Sequence, residues 1–159
     1  MKLLLTAIMF LLYASISFSQ NEIITPTIDC KSVHPTDWEI YTSNLDFKIE
    51  YKFVDCDPPM GYDQEMVLLK VTNRTREDLA FNWHAILFYS EDCKTCDFED
   101  EYSFGVNVPP LQSVEGSCSL YEGYELKIYS AFIDVNYTKG EKLVSFELGN
   151  LTVTPAQVD

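Results

Sequence analysis

The chain has few basic residues for its 159-residue length. Lysine and arginine together number 11, against 25 aspartates and glutamates, which gives a formal net charge of −14. A nucleic-acid-binding surface needs clustered basic side chains to neutralise phosphates. An anionic membrane surface attracts the same kind of cluster. The composition therefore argues against nucleic acid and against anionic lipid as partners.

The sequence also lacks the common catalytic signatures. It contains no phosphate-binding glycine loop, no dinucleotide fingerprint and no His-Glu-x-x-His motif. No Gly-x-Ser-x-Gly elbow is present, since residues 115–119 lack its second glycine. His34 and His84 are the only histidines, and His84 follows Trp83 in a predicted strand, a position typical of a packed residue. We therefore expect no enzymatic activity, no catalytic residue and no cofactor.

Long apolar runs are missing everywhere except at the N-terminus. There Lys2 precedes an apolar run from Leu3 to Tyr13, and the small-x-small pattern Ser17-Phe18-Ser19 follows. This layout predicts a cleaved signal peptide over residues 1–19, with a run too short for a membrane span. Residues 20–159 are then expected to form one domain with its own core, in the periplasm or outside the cell.

Apolar residues with a period of two dominate the rest of the chain. From Leu45 to Phe53 they alternate with charged residues, which indicates a strand with one buried face. The only helical candidate is a short turn around residues 34–38. The apolar parity reverses at Gly149-Asn150, which predicts a β-bulge in the last strand. The predicted strands cover residues 45–53, 66–71, 79–89, 102–108, 112–118, 124–134 and 144–153.

About seven short strands separated by turn signals predict an all-β fold, namely an antiparallel immunoglobulin-like β-sandwich. Five cysteines follow the predicted signal peptide, and an oxidising compartment favours disulfides between them. The sequence leaves their pairing open. Cys30 and Cys56 flank the first predicted strand, and bonding them closes the N-terminal segment onto the domain. Cys118 is then within reach of Cys93 or Cys96, and the other of these two is left unpaired.

Cys93 and Cys96 also form a Cys-x-x-Cys motif, which raises the possibility of thiol exchange. Such a site needs its first thiol at a helix N-terminus, where the pKa of the thiol falls. Here residues 97–101 are strongly acidic and lead into a predicted strand, so a structural disulfide is favoured.

Two metal sites can be considered. Zinc would need Cys93, Cys96 and Cys118 with Cys30, Cys56 or a histidine as the fourth ligand, but zinc usually recruits two close cysteine pairs. A calcium loop needs oxygen ligands at fixed spacing around a glycine, which the local acidic cluster lacks. We therefore predict no metal site. The acidic cluster comprises Asp92, Asp97, Glu99, Asp100 and Glu101.

A short signal that ends in Phe18-Ser19-Gln20, followed by a small cysteine-containing sandwich, resembles uncharacterised exported proteins of Bacteroidota bacteria. The resemblance covers most of the mature chain and implies no activity. We expect an exported, non-enzymatic binding or accessory module whose partner is a protein or a glycan. The alternative is a thiol-redox or metal-binding protein that uses the cluster of Cys93, Cys96 and Cys118.

Overall fold

A computed structural model describes residues 23–32, 34–56, 63–119, 121–133 and 140–156. Over these ranges the chain forms ten β-strands and one short 3-10 helix, and no α-helix. The described residues include no helix that is long and apolar enough to cross a membrane. The predicted signal peptide lies outside the described residues.

The first of two sheets is built around the long strand β5. This strand pairs with β10 along one edge and with β7 and then β6 along the other, all antiparallel, and β1 extends the sheet beyond β10. The strands of this sheet are β1 (Ile28–Asp29), β5 (Leu79–Tyr89), β6 (Asp92–Cys93), β7 (Ser103–Val108) and β10 (Leu143–Pro155).

The second sheet is built around β4. This strand lies between β3 on one side and β8 followed by β9 on the other, and β2 extends the sheet beyond β3. The 3-10 turn Tyr124–Leu126 precedes β9. The strands are β2 (Glu39–Ser43), β3 (Phe47–Cys56), β4 (Gln64–Asn73), β8 (Ser113–Glu115) and β9 (Lys127–Phe132).

The core lies between the two sheets and is rich in aromatic rings. Phe47 of β3 meets Phe81 of β5 edge to face, with ring centroids 5.5 Å apart. Phe146 of β10 is fully buried against Tyr41 and Tyr51 of the other sheet. Such pairs add to the burial of the rings themselves. The predicted antiparallel sandwich is therefore confirmed, with ten strands instead of about seven.

Most of the predicted strands are observed, with several differences. The first begins at Phe47 instead of Leu45, whose side chain is 93% exposed, and the predicted strand 112–118 is limited to Ser113–Glu115. Residues 124–126 form the 3-10 turn instead of the start of a strand, and residues 34–38 contain a bend instead of a helical turn. The short strands β1, β2 and β6 were not predicted. The predicted bulge in β10 is confirmed, because the register shifts between Gly149 and Thr152 and Asn150 has a left-handed φ of 53°.

One end of the sandwich is sealed by the buried side chain of Asn73, the last residue of β4. Its amide nitrogen donates to the carbonyl oxygens of Glu77, Val108 and Pro109 at 2.7, 2.9 and 3.2 Å. Its side-chain oxygen accepts from the backbone N–H and the hydroxyl of Thr75, both at 2.8 Å. The buried amide is therefore fully hydrogen-bonded, as burial of a polar group requires.

Candidate functional site: a cleft beside Glu65

Glu65 stands at the opposite end of β4 from Asn73. The inward-facing series of this strand continues from Val67 to Glu65, so a carboxylate lies where the apolar core ends. The hydroxyl of Ser130, a buried residue of β9, donates to Glu65 Oε1 at 2.6 Å. His34 Nδ1 lies 2.9 Å from Glu65 Oε2. Three remote parts of the chain thus meet at one carboxylate.

His34 is held in place by the segment that connects β1 to β2. At its start the N–H of Cys30 donates to the carbonyl of Val144 in β10 at 2.8 Å, and further on the N–H of Phe53 donates to the carbonyl of Pro35 at 2.7 Å. The imidazole ring stacks on the buried ring of Phe53, with centroids 4.2 Å apart. The segment therefore bridges the two sheets and places the histidine over the end of the core.

The hydrogen-bond partners of His34 favour protonation of its ring. Nε2 lies 2.7 Å from the carbonyl oxygen of Cys30, which can only accept, so Nε2 carries a proton. Nδ1 faces the carboxylate of Glu65, which also accepts. Burial acts to lower the pKa of His34, but its hydrogen bonds to Glu65 and to the Cys30 carbonyl outweigh burial, and the net shift is upward. The contacts and the raised pKa therefore both favour the protonated form of His34 beside Glu65.

The His34–Glu65 pair forms part of the wall of a cleft of about 510 Å³ at that end of the molecule. The volume is within the range of small-molecule sites. Lys31 and Lys142 line the same cleft, and both are exposed. The cleft therefore combines charged groups of β4, of the segment between β1 and β2 and of the residue before β10, with direct access from solvent.

Cys30 also lines the cleft, and it is the free cysteine of the described residues. Its side chain is buried, and that burial, followed by the negative charges of Asp29 and Glu65, raises the pKa of the thiol to about 12. A thiol in this state stays protonated at neutral pH and is a poor nucleophile. The cleft therefore has no activated cysteine.

The other four cysteines form two disulfides, Cys56–Cys118 and Cys93–Cys96. The pairing of Cys30 with Cys56 considered from the sequence is wrong, and the leftover thiol is neither Cys93 nor Cys96. The physical reason is the sheet order. Because β4 lies between β3 and β8, the segment after β8 crosses β4 to reach the end of β3, where Cys56 is buried.

The Cys-x-x-Cys loop is fixed to β5 by the buried side chain of Thr95. Its hydroxyl donates to the carbonyl of Ala85 at 2.7 Å and accepts from the N–H of Leu87 at 2.9 Å. Nε2 of His84 donates to the carbonyl of Thr95 at 3.0 Å, and His84 is buried, as predicted. No helix follows the loop, so its cysteines lack a helix dipole.

The proposed metal ligands are not brought together. Cys118 is bonded to Cys56, away from the bonded pair Cys93 and Cys96, so the three-thiolate cluster is not formed. The acidic residues 97–101 are exposed, and Glu99 accepts a hydrogen bond from Asn150. Across the described ranges no group of three histidine, cysteine, aspartate or glutamate side chains is arranged to hold a metal ion.

The residues of the cleft were not predicted from the sequence, with the exception of Cys30 as a disulfide candidate. One signal was present. Continuing the predicted strand 66–71 back by one residue gives Glu65 the same parity as Val67, which places a carboxylate on the buried face. The partners Ser130 and His34 are 65 and 31 residues away, and no motif connects them.

The chain matches no family model and no curated protein. Among solved structures, the Salmonella enterica trimeric lipoprotein SadB is similar to it at 11% identity and a TM-score of 0.36. That likeness covers 97% of this chain and 76% of the other. A similarity at this level carries no functional argument. The resemblance to exported Bacteroidota proteins stays a prediction.

Proposed function

We propose that the chain is an exported, non-enzymatic binding module and that the cleft beside Glu65 is its ligand site. The observation that carries the proposal is the cleft itself, since it is of ligand size and charged side chains from three separate segments line it. The predicted signal peptide and the two disulfides support export. The protonated thiol and the histidine committed to two hydrogen bonds support a binding role instead of catalysis.

The test is to fill the cleft and ask whether ligand binding is lost. Ala131 lines the cleft from β9, so Ala131→Trp places a large ring there. The matched control is Gln112→Trp on an exposed turn remote from the cleft. Amide chemical shifts are recorded for each protein against a mixed library of acidic, neutral and basic small molecules.

We expect some members of the library to shift amides around the cleft in the wild type and in Gln112→Trp. The same members should leave Ala131→Trp unchanged. Binding that survives Ala131→Trp, or a library that shifts no cleft amide, would refute the assignment of the cleft as the ligand site.

A second candidate function is thiol exchange by Cys93 and Cys96. Cys96 is exposed, and its N–H donates to Cys93 Sγ at 3.1 Å, a contact that would also stabilise a Cys93 thiolate. Equilibration in glutathione buffers, followed by alkylation and mass measurement, gives the reduction potential of this pair. A value of roughly −120 to −270 mV supports exchange, whereas a value below about −300 mV supports a structural bond.

A further inference from the structure

The described cations of this acidic chain are mostly engaged with partners of their own. Lys48, Lys70 and Lys94 form ion pairs with glutamates. The ammonium group of Lys52 lies over the ring of Trp38. The guanidinium of Arg74 and the ammonium of Lys127 donate to backbone carbonyls. These six side chains already interact with groups of the protein, so they are less available to bind an anionic ligand.

Three cations remain, and two of them share the cleft. Within the described ranges the side chains of Lys31, Arg76 and Lys142 make no ion pair and no hydrogen bond. Lys31 and Lys142 both line the cleft, whereas Arg76 lies in the turn between β4 and β5. Two unpaired ammonium groups in one concave site are notable on a chain with a net charge of −14.

The described side chains that line the cleft therefore include more cations than anions, the reverse of the chain as a whole. Among the described residues that line it, the charged side chains are Lys31, Lys142 and Glu65, together with His34 when its ring is protonated. The two lysines therefore outnumber the one carboxylate whether or not His34 is charged. A concave site of one sign attracts ligands of the other.

Most of the other described lining residues of the cleft are apolar. Phe132 ends β9 and Ile133 follows it, and Leu143 and Val144 contribute from the start of β10. Ile133 is 41% exposed, which leaves apolar surface available to a ligand. A site with a cationic rim and an apolar wall matches a molecule that has an anionic head and an apolar body.

We propose that the cleft binds a small organic carboxylate, with the carboxylate between Lys31 and Lys142 and the apolar part against the residues of β9 and β10. This inference rests on the proposed binding function and specifies its ligand class. Each lysine can donate a charge-assisted hydrogen bond to the carboxylate. The carboxylate of Glu65 is engaged by the Ser130 hydroxyl at 2.6 Å and by His34 Nδ1 at 2.9 Å, which limits its repulsion of the anion.

The experiment titrates the full mature chain with three probes, followed by amide chemical shifts and calorimetry. Octanoate has both a carboxylate and a long alkyl chain. Octan-1-ol has the alkyl chain with a neutral hydroxyl group, and acetate has the carboxylate without the long chain. We expect octanoate to bind in the cleft more tightly than either of the others. Its affinity should fall as salt rises, because exposed charges are screened.

Single variants locate the head group. Lys31→Gln and Lys142→Gln should each weaken octanoate binding about tenfold, the effect of losing one charge-assisted hydrogen bond. Arg76→Gln removes the same charge from the remaining unpaired cation outside the cleft and should leave the affinity unchanged. All three positions are exposed, so the variants should fold, and their amide spectra check this.

Equal binding of octan-1-ol and octanoate, or unchanged affinity in both lysine variants, would overturn the carboxylate proposal. The two proposals fail differently. If cleft amides respond to neutral or basic library members but not to octanoate, the ligand class is wrong and the binding site stands. If Ala131→Trp changes no binding at all, the site itself is wrong.

Discussion

The two ends of β4 each place a polar side chain at the edge of the core, but its hydrogen-bond partners differ between the ends. At each end an inward-facing position carries a polar side chain, Asn73 at one and Glu65 at the other. Asn73 is neutral, 1% exposed, and bonded mainly to backbone groups. Glu65 is charged, bonded to the side chains of His34 and Ser130, and open to a cleft. A neutral amide closes a core, whereas an ion pair at its edge leaves a place for a ligand.

The two ends of β4 also differ in whether their hydrogen-bonded groups titrate. The partners of Asn73 are backbone carbonyls and the neighbouring Thr75, and none of these groups titrates. The partner of Glu65 is an imidazole whose charge changes near neutral pH. The Asn73 end should therefore contribute a constant stability, and the Glu65 end a stability that depends on pH.

The largest expected effect comes from removing the covalent link at the Glu65 end. Cys56 lies opposite Gln64, next to Glu65, and its bond to Cys118 closes a loop with a sequence separation of 62. Cys56→Ser with Cys118→Ser should lower the free energy of unfolding by about 4 kcal/mol in the chain-entropy model. Urea unfolding measures this loss.

The control for that pair is Cys93→Ser with Cys96→Ser, whose loop has a separation of 3. The same model gives a loss of about 2 kcal/mol for so short a loop. Equal losses in the two double variants would show that loop length does not set the contribution of the disulfides.

The next effect tests the sealed end. Asn73→Ala removes all the hydrogen bonds of this buried side chain, although the carbonyls of Glu77 and Pro109 keep donors in Thr75 and Gln112. We expect a loss of about 3 kcal/mol in the free energy of unfolding, since unsatisfied buried groups cost about 1–3 kcal/mol each. The matched control is Thr72→Ala, whose exposed hydroxyl bonds only to Ser113 and should cost less than about 1 kcal/mol. A similar loss in both variants would contradict the sealing role of Asn73.

The smallest effect tests the Glu65 end and is a change in pH dependence. The pKa of His34 is raised in the folded protein from the ordinary 6.5, so its bridge stabilises the fold fully below that pH. The contribution should disappear as pH rises through the raised folded value. His34→Gln should therefore be less stable than the wild type in acid, by less than about 1 kcal/mol because the pair is partly exposed.

The measurement is urea unfolding of the wild type and His34→Gln from pH 5 upward. The difference between them should shrink as pH rises, while Asn73→Ala should show a constant difference. A gap between the wild type and His34→Gln that widens with pH would have the wrong sign for the bridge.

The sequence was sufficient for the elements that alternate over many residues. Phe47 to Phe53 and Tyr102 to Val108 carry one buried face, and the bulge at Gly149-Asn150 follows from a reversal of parity. Strands β1 and β6 are two residues each and contain no alternation to read. In β2 only the central residue, Tyr41, is buried. Short or exposed strands owe their position to their neighbours in the sheet, which local pattern does not reveal.

The cleft was beyond local pattern for a different reason. His34, Glu65 and Ser130 belong to three segments that become neighbours only after both sheets have packed. The disulfide pairing has the same origin, because Cys118 reaches Cys56 only across β4. The sequence positions of the cysteines around the first predicted strand had favoured a bond between Cys30 and Cys56 instead. Long-range order in a sandwich therefore decided both the site and the cross-links.

The reactivity of the buried Cys30 thiol can report whether the fold is complete. Its protection needs β10, the last strand, because the Cys30 amide donates to Val144 and the adjacent β1 pairs with β10. Before β1 pairs with β10, we expect this thiol to be exposed and able to pair with another cysteine. In the folded protein its side chain is 3% exposed, so reagents should reach it slowly. A thiol reagent added during refolding should therefore label Cys30 in incompletely folded chains and leave it unlabelled in folded ones. The unlabelled fraction then measures how many molecules have added β10 to the sheet.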